Sequence, residues 1–143
     1  MNKSSTLSII CTAIFLIGII AAFLGHLNPG NMSLGYTLIA ISLIYLFSGW
    51  YLFKVYYPGG NYFLLFLIGY FYSAIFIAFS FVTLKWPLAK TMITLGPVWA
   101  VAQLVLIAVI RKKLLKEGFI QFMIEGGLML IFIIITLVTY TGE

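Results

Sequence analysis

Five long apolar runs, separated by short polar or helix-breaking segments, organise this chain. The runs cover approximately residues 7–25, 34–54, 62–84, 91–110 and 119–140. A helix of about 20 residues crosses a hydrocarbon core of about 30 Å. The separating segments include GHLNPGN, YYPGGN and KWPLAK, whose glycine, proline and asparagine residues favour turns. The pattern therefore predicts five transmembrane helices joined by short connections.

The apolar runs are typical of helices and not of the strands of a membrane barrel. Barrel strands have about ten residues and alternate apolar with polar positions, whereas these runs are longer and continuous. The first run also exceeds the usual hydrophobic stretch of a signal peptide, about 7–15 residues, so we expect it to remain as a span. We predict an all-α, polytopic integral membrane protein, with residues 1–143 in a single bundle of five transmembrane helices.

Composition agrees with a bilayer environment. Hydrophobic residues make up 64% of the 143 positions and charged residues only 8%, whereas soluble domains have about 25% charged residues. With one His and one Cys, the chain offers no catalytic constellation and no metal-ligand cluster that we recognise. We therefore expect a protein that is not an enzyme and has no cofactor, no metal and no nucleic-acid partner.

The basic residues, which give a net charge of +5, predict the orientation in the membrane. Alternate connections place most of them on the side of the N-terminus, and only Lys85 and Lys90 on the other side. Because cytoplasmic loops are enriched in Lys and Arg, we expect a cytoplasmic N-terminus and an external C-terminus, in the cytoplasmic membrane of a bacterium. The basic segment between the fourth and fifth runs is also expected to contact lipid headgroups, through Arg111, Lys112, Lys113 and Lys116.

The fifth run contains one acidic residue, Glu125, within an otherwise largely apolar sequence. The remaining acids, Glu117 and Glu143, lie outside the apolar runs. An ionised carboxylate in hydrocarbon costs several kcal/mol unless it is compensated. We therefore expect the Glu125 carboxyl to be protonated, paired with a polar group or turned towards a cavity. Extension of its side chain towards the nearby lysines is a further alternative.

Polar side chains at a similar depth form a predicted layer around Glu125. Gln103 and Glu125 are equally distant in sequence from Leu114, so they reach one depth in an antiparallel hairpin. Gln121 precedes Glu125 by one helical turn on the same face. The second and third runs add further candidates: Tyr45, Ser48, Tyr70, Tyr72 and Ser73. We predict a hydrogen bond between Gln103 and Glu125, and a buried polar site formed by Glu125, Gln103, Gln121, Tyr45 and Tyr70.

Two functions are consistent with this site. The first is that of a small accessory subunit, in which Glu125 makes a buried contact within a membrane complex or a homo-oligomer. The second is that of a small proton- or cation-coupled transporter or channel, in which Glu125 carries the exchangeable charge. A transporter needs polar groups in the outer half of the bundle as well, and the sequence offers few: Ser42, Ser80, Thr94 and Thr136. This favours the subunit.

The predicted topology can be tested by cysteine labelling in intact cells. In a Cys11→Ser background, new cysteines near Asn31 and Gly142 should react with a membrane-impermeant reagent. A cysteine near Lys113 should remain unlabelled until the membrane is opened, because the basic side is predicted to face the cytoplasm. The reverse pattern would mean that the orientation is inverted.

Overall fold

The computed structural model describes residues 3–28, 30–57 and 61–139. Its five α-helices are α1 (Lys3–Leu27), α2 (Met32–Leu52), α3 (Tyr62–Leu84), α4 (Ala89–Val109) and α5 (Lys116–Thr139). Short 3-10 helices follow α2, at Phe53–Val55, and α4, at Arg111–Lys113. Each of the five helices is long and apolar enough to cross a membrane. The described chain contains no strand, so the predicted all-α bundle is confirmed.

The helix ends differ from the predicted spans by a few residues. Helices α1, α2, α4 and α5 begin earlier than predicted, while the predicted end at Tyr140 lies outside the described residues. Asparagines cap the N-termini of α2 and α3. The Asn31 side chain accepts a hydrogen bond from the Leu34 N–H at 3.0 Å, and the Asn61 side chain accepts one from the Phe63 N–H at 2.7 Å. These caps explain why the turn segments carry asparagine.

Helix α3 is the centre of the bundle. It packs against all four of the other helices and is the most buried of the five spans. Helix α1 packs against α2, α3 and α5, while α4 packs against α3 and α5. The arrangement places one face of α5 beside α3 and α1, and that face includes Glu125.

Consecutive helices are antiparallel, and on each side of the bundle a hydrogen bond holds a connection in place. The Leu115 N–H donates to the Tyr56 carbonyl oxygen at 3.0 Å, which ties the α4–α5 connection to the α2–α3 connection. On the opposite side, the Gly30 N–H donates to the Thr83 carbonyl oxygen at 2.7 Å. We call the side with the starts of α1, α3 and α5 the basic side. The described basic side chains there are all exposed: Lys54, Arg111, Lys112, Lys113 and Lys116.

Helices α2 and α3 approach each other backbone to backbone at Gly49 and Gly69. A Cβ atom built on Gly69 would lie 2.5 Å from the Tyr45 carbonyl oxygen, and one built on Gly49 would lie 3.0 Å from the Gly69 Cα. Only glycine allows this approach, because the opposing atoms belong to main chain that cannot rotate away. Close packing of α2 on α3 thus depends on these two residues.

We predict that Gly69→Ala lowers stability by about 1–3 kcal/mol, since the new methyl group overlaps a backbone oxygen. Gly127→Ala is the matched control, because a Cβ on Gly127 meets no atom within 4 Å. The control should be neutral or slightly stabilising, as alanine favours helix more than glycine does. Thermal unfolding of both variants in one detergent measures the difference. Equal effects would show that the two helices are not in close contact at Gly69.

Candidate functional site

Glu125 lies inside the bundle. Its side chain is only 5% exposed, while its neighbour Ile124 on the same helix is 58% exposed. Helical geometry separates the directions of adjacent side chains by about 100°. Ile124 therefore points to the outer surface of the bundle, and Glu125 points towards α3 and α1.

Both oxygens of the Glu125 carboxyl accept hydrogen bonds within the chain. The Tyr72 hydroxyl of α3 donates to Oε1 at 2.7 Å. The Gln121 amide nitrogen, one turn earlier in α5, donates to Oε2 at 3.0 Å. These bonds compensate the carboxyl for the water that it loses in the bundle.

The hydrogen bonds continue from Gln121 towards the basic side. The Gln121 amide oxygen accepts from the Tyr56 hydroxyl at 2.7 Å, and its nitrogen also donates to the Thr12 hydroxyl at 3.0 Å. The Tyr56 and Ser8 hydroxyls are 3.0 Å apart. Since the Tyr56 proton points to Gln121, Ser8 is the donor in that pair. We call these bonded residues the Glu125 network: Ser8, Thr12, Tyr56, Tyr72, Gln121 and Glu125.

The Glu125 network starts near one surface and ends inside the bundle. Tyr56 follows the short 3-10 helix after α2 and belongs to the connections of the basic side. Burial raises the pKa of the Tyr56 hydroxyl above its ordinary value, so this group keeps its proton and acts as a donor at neutral pH. Glu125 lies about 14 Å along α5 from Lys116. Among the described residues, the network therefore links the carboxyl with the basic side.

Aromatic rings enclose the inner end of the network. The Tyr72 ring centroid lies 4.9 Å from that of Tyr45 and 5.2 Å from that of Phe53. Such separations are typical of favourable aromatic pairs. Seven of the buried rings form one aromatic cluster: Phe15, Tyr45, Phe53, Tyr56, Tyr72, Phe76 and Phe122. Apolar surroundings strengthen the bond between Tyr72 and Glu125, because few other dipoles screen it.

The predicted hydrogen bond between Gln103 and Glu125 is wrong. Gln103 is fully buried, but neither its amide oxygen nor its nitrogen has a hydrogen-bond partner in the described part of the chain. It lies against Gly126, where an added Cβ would be 2.5 Å from the Gln103 oxygen. The two residues do share a depth, as the hairpin argument requires. Gln103 lies beside Gly126 of α5, whereas Glu125, the residue before Gly126, points towards Tyr72 of α3.

The two tyrosines of the predicted buried polar site, Tyr45 and Tyr70, do not contact Glu125 by hydrogen bonds. Tyr45 belongs to the aromatic cluster, and its buried hydroxyl has no partner among the described residues. Tyr70 is 38% exposed and meets the Trp99 ring edge-on at 5.7 Å. Tyr72, which sequence depth also indicated, is the tyrosine that binds Glu125. Depth alone did not distinguish Tyr70 from Tyr72.

Sequence reasoning missed the residues that connect Gln121 to the basic side. Tyr56, Ser8 and Thr12 are not among the site residues predicted from sequence. The spacing of Ser8 and Thr12, one helical turn apart, is a signal that α1 carries a hydroxyl-bearing face. Which helix this face meets depends on the packing of α1 against α5.

Three buried hydroxyl groups in the other half of the bundle are bonded to their own helices. The hydroxyls of Ser42, Ser80 and Thr136 donate to carbonyl oxygens at 2.8, 2.7 and 2.8 Å, each within its own helix. None of these bonds extends the Glu125 network. Over residues 3–28, 30–57 and 61–139, no group of three or more His, Cys, Asp or Glu side chains is placed to hold a metal ion.

Comparisons with protein families, with curated proteins and with solved structures found no match for this chain. Its class is therefore defined by its own structure. It is a helical membrane protein of five candidate spans, with a carboxyl in its interior. That carboxyl is bonded to Tyr72 and Gln121 and linked to one side of the bundle.

We predict energetic coupling between Tyr72 and Glu125, and none between Gln103 and Glu125. In a double-mutant cycle of Tyr72→Phe and Glu125→Met, the two destabilisations should be non-additive by on the order of 1 kcal/mol, because both variants remove one hydrogen bond. The control cycle pairs Gln103→Leu with Glu125→Met and should be additive. Gln103→Leu alone should be neutral or stabilising, since its amide has no partner to lose. Coupling only in the control cycle would restore the bond predicted from sequence.

Proposed function

We propose that this chain is a small, non-catalytic subunit of a membrane assembly, formed with another membrane protein or with copies of itself. The observation that carries the proposal is that both carboxyl oxygens of Glu125 accept hydrogen bonds from within the chain, from Tyr72 and Gln121. A carboxyl held in this way ties α5 to α3. Through Gln121 and Thr12 it also ties α5 to α1. The network therefore acts as a structural connection within the bundle.

The seam between α1 and α5 supports a partner at this position. Thr12 is exposed and Gln121 is partly exposed, so their hydrogen bond lies at the outer surface of the bundle. Polar groups at this depth are costly against lipid, and small or polar residues are enriched where membrane helices meet. A helix of a partner chain seated on this seam would cover the pair.

A second function is favoured by the hydrogen-bond chain from Ser8 through Tyr56 and Gln121 to Glu125. These hydrogen bonds connect the basic side with a buried carboxyl, as the ion site of a proton- or cation-coupled transporter would require. Transport also requires a path from the carboxyl to the opposite side. The hydroxyls of Ser42, Ser80 and Thr136 in that half are bonded to their own helices and do not reach Glu125, so the second function is the weaker of the two.

Purification in mild detergent tests the proposal. We expect the parent protein to run as a complex with a defined partner or as an oligomer by native mass spectrometry. Thr12→Val, which removes a hydroxyl from the seam and keeps the side-chain shape, should weaken that association. Gln103→Leu is the control and should leave it intact, because Gln103 is fully buried at α4 and α5.

Flux measurements in proteoliposomes test the alternative. If the chain is a subunit, the reconstituted protein should show no flux driven by a pH gradient. A monomeric parent protein with pH-driven flux, abolished in a folded Glu125→Gln variant, would contradict the subunit and support the transporter.

A further inference from the structure

A groove of about 480 Å³ lies on the outer surface of the bundle, lined by Trp50, Tyr62 and Phe66. Trp50 is in the last turn of α2, whereas Tyr62 begins α3. The groove therefore lies between these helices at the basic side, where a bilayer would change from hydrocarbon to headgroups. The exposed fractions of the three side chains are 40, 60 and 41%.

The close approach of α2 and α3 holds the walls of this groove in place. Gly49 and Gly69 bring the two backbones together immediately beside Trp50 and one turn after Phe66. The Trp50 ring meets the Tyr62 ring edge-on at 5.8 Å, and its N–H donates to the Phe47 carbonyl oxygen at 3.0 Å. The Trp50 ring also meets the Tyr51 ring edge-on at 5.9 Å, so two ring contacts and one hydrogen bond fix the indole. The walls of the groove are aromatic, and the indole N–H of Trp50 is already used as a donor.

A positive charge lies at the mouth of the groove. The Lys54 ammonium group is exposed and lies 5.5 Å from the centroid of the Tyr62 ring. The described carboxyls belong to Glu117 and Glu125, both in α5. Lys54 forms no ion pair with either of them in the described structure. An anion that pairs with Lys54 must therefore come from outside these residues.

We infer that this groove binds one anionic phospholipid from the leaflet on the basic side. An acyl chain fits the aromatic walls, because both surfaces are apolar and the groove is open to the outside of the bundle. The phosphate of the same lipid reaches the level of Lys54, which supplies the charge that an apolar groove lacks. An anionic headgroup is favoured over a zwitterionic one, since no carboxylate of the described chain neutralises Lys54. This inference does not depend on the proposed function.

Tryptophan quenching by brominated lipids tests the inference in the full chain. Trp86→Phe and Trp99→Phe leave Trp50 as the sole tryptophan, because the sequence has three. This protein is reconstituted in bilayers containing brominated phosphatidylglycerol or brominated phosphatidylcholine at equal mole fraction. We expect phosphatidylglycerol to quench Trp50 more strongly. Lys54→Gln should lower the affinity of the groove for phosphatidylglycerol, relative to phosphatidylcholine, by about fivefold, the effect typical of one lysine near an anionic surface.

Lys112→Gln is the matched control, because it removes the same charge from the same side at a residue of the α4–α5 connection, whereas Lys54 lies over the Tyr62 ring. It should leave the preference for phosphatidylglycerol at Trp50 unchanged. Circular dichroism of each variant verifies that the helices are retained. Equal quenching by the two lipids, or equal losses in the Lys54 and Lys112 variants, would overturn the inference. Quenching by neither lipid would also overturn it, because a protein surface would then cover the groove.

Discussion

The hydrogen bond from the Tyr72 hydroxyl to the Glu125 carboxyl is the contact on which the interior of this bundle depends. A carboxyl in apolar surroundings is costly unless its oxygens are bonded. Tyr72 provides one partner from α3, the helix that packs against every other. The direction in which Glu125 faces therefore fixes the rotation of α5 about its own axis. That rotation in turn places Gln121 beside Thr12 of α1.

The one-sided form of the Glu125 network follows from the positions of its members. Tyr56 anchors one end at the connections of the basic side, and Tyr72 closes the other end within the aromatic cluster. The hydroxyls of Ser42, Ser80 and Thr136 in the opposite half bond to the carbonyl oxygens of their own helices and do not prolong the network. Glu125 is thus linked to one side of the bundle and separated from the other by apolar packing. This asymmetry suits a structural tie better than a path across the bundle.

The spans were predictable from sequence because a bilayer imposes length and apolarity on any helix that crosses it. The shared depth of Gln103 and Glu125 was also predictable, since a short connection forces α4 and α5 to be antiparallel. Their faces were not predictable. Lipid is as apolar as the interior, so an apolar pattern does not show which side of a helix is buried. For the same reason the sequence did not show whether Tyr70 or Tyr72 faces Glu125, and in the structure it is Tyr72.

Solid-state NMR of the protein in bilayers tests the central claim most directly. The chain has three acidic residues and no aspartate, so labelling glutamate with ¹³C gives few side-chain carboxyl signals, and the one lost in Glu125→Gln is assigned. Tyrosine labelled at the ring is the second partner in the experiment. The account predicts a through-space contact between the Glu125 carboxyl carbon and the ring of Tyr72, which disappears in Tyr72→Phe. A Glu125 carboxyl in contact with lipid acyl chains, with no tyrosine contact, would contradict it.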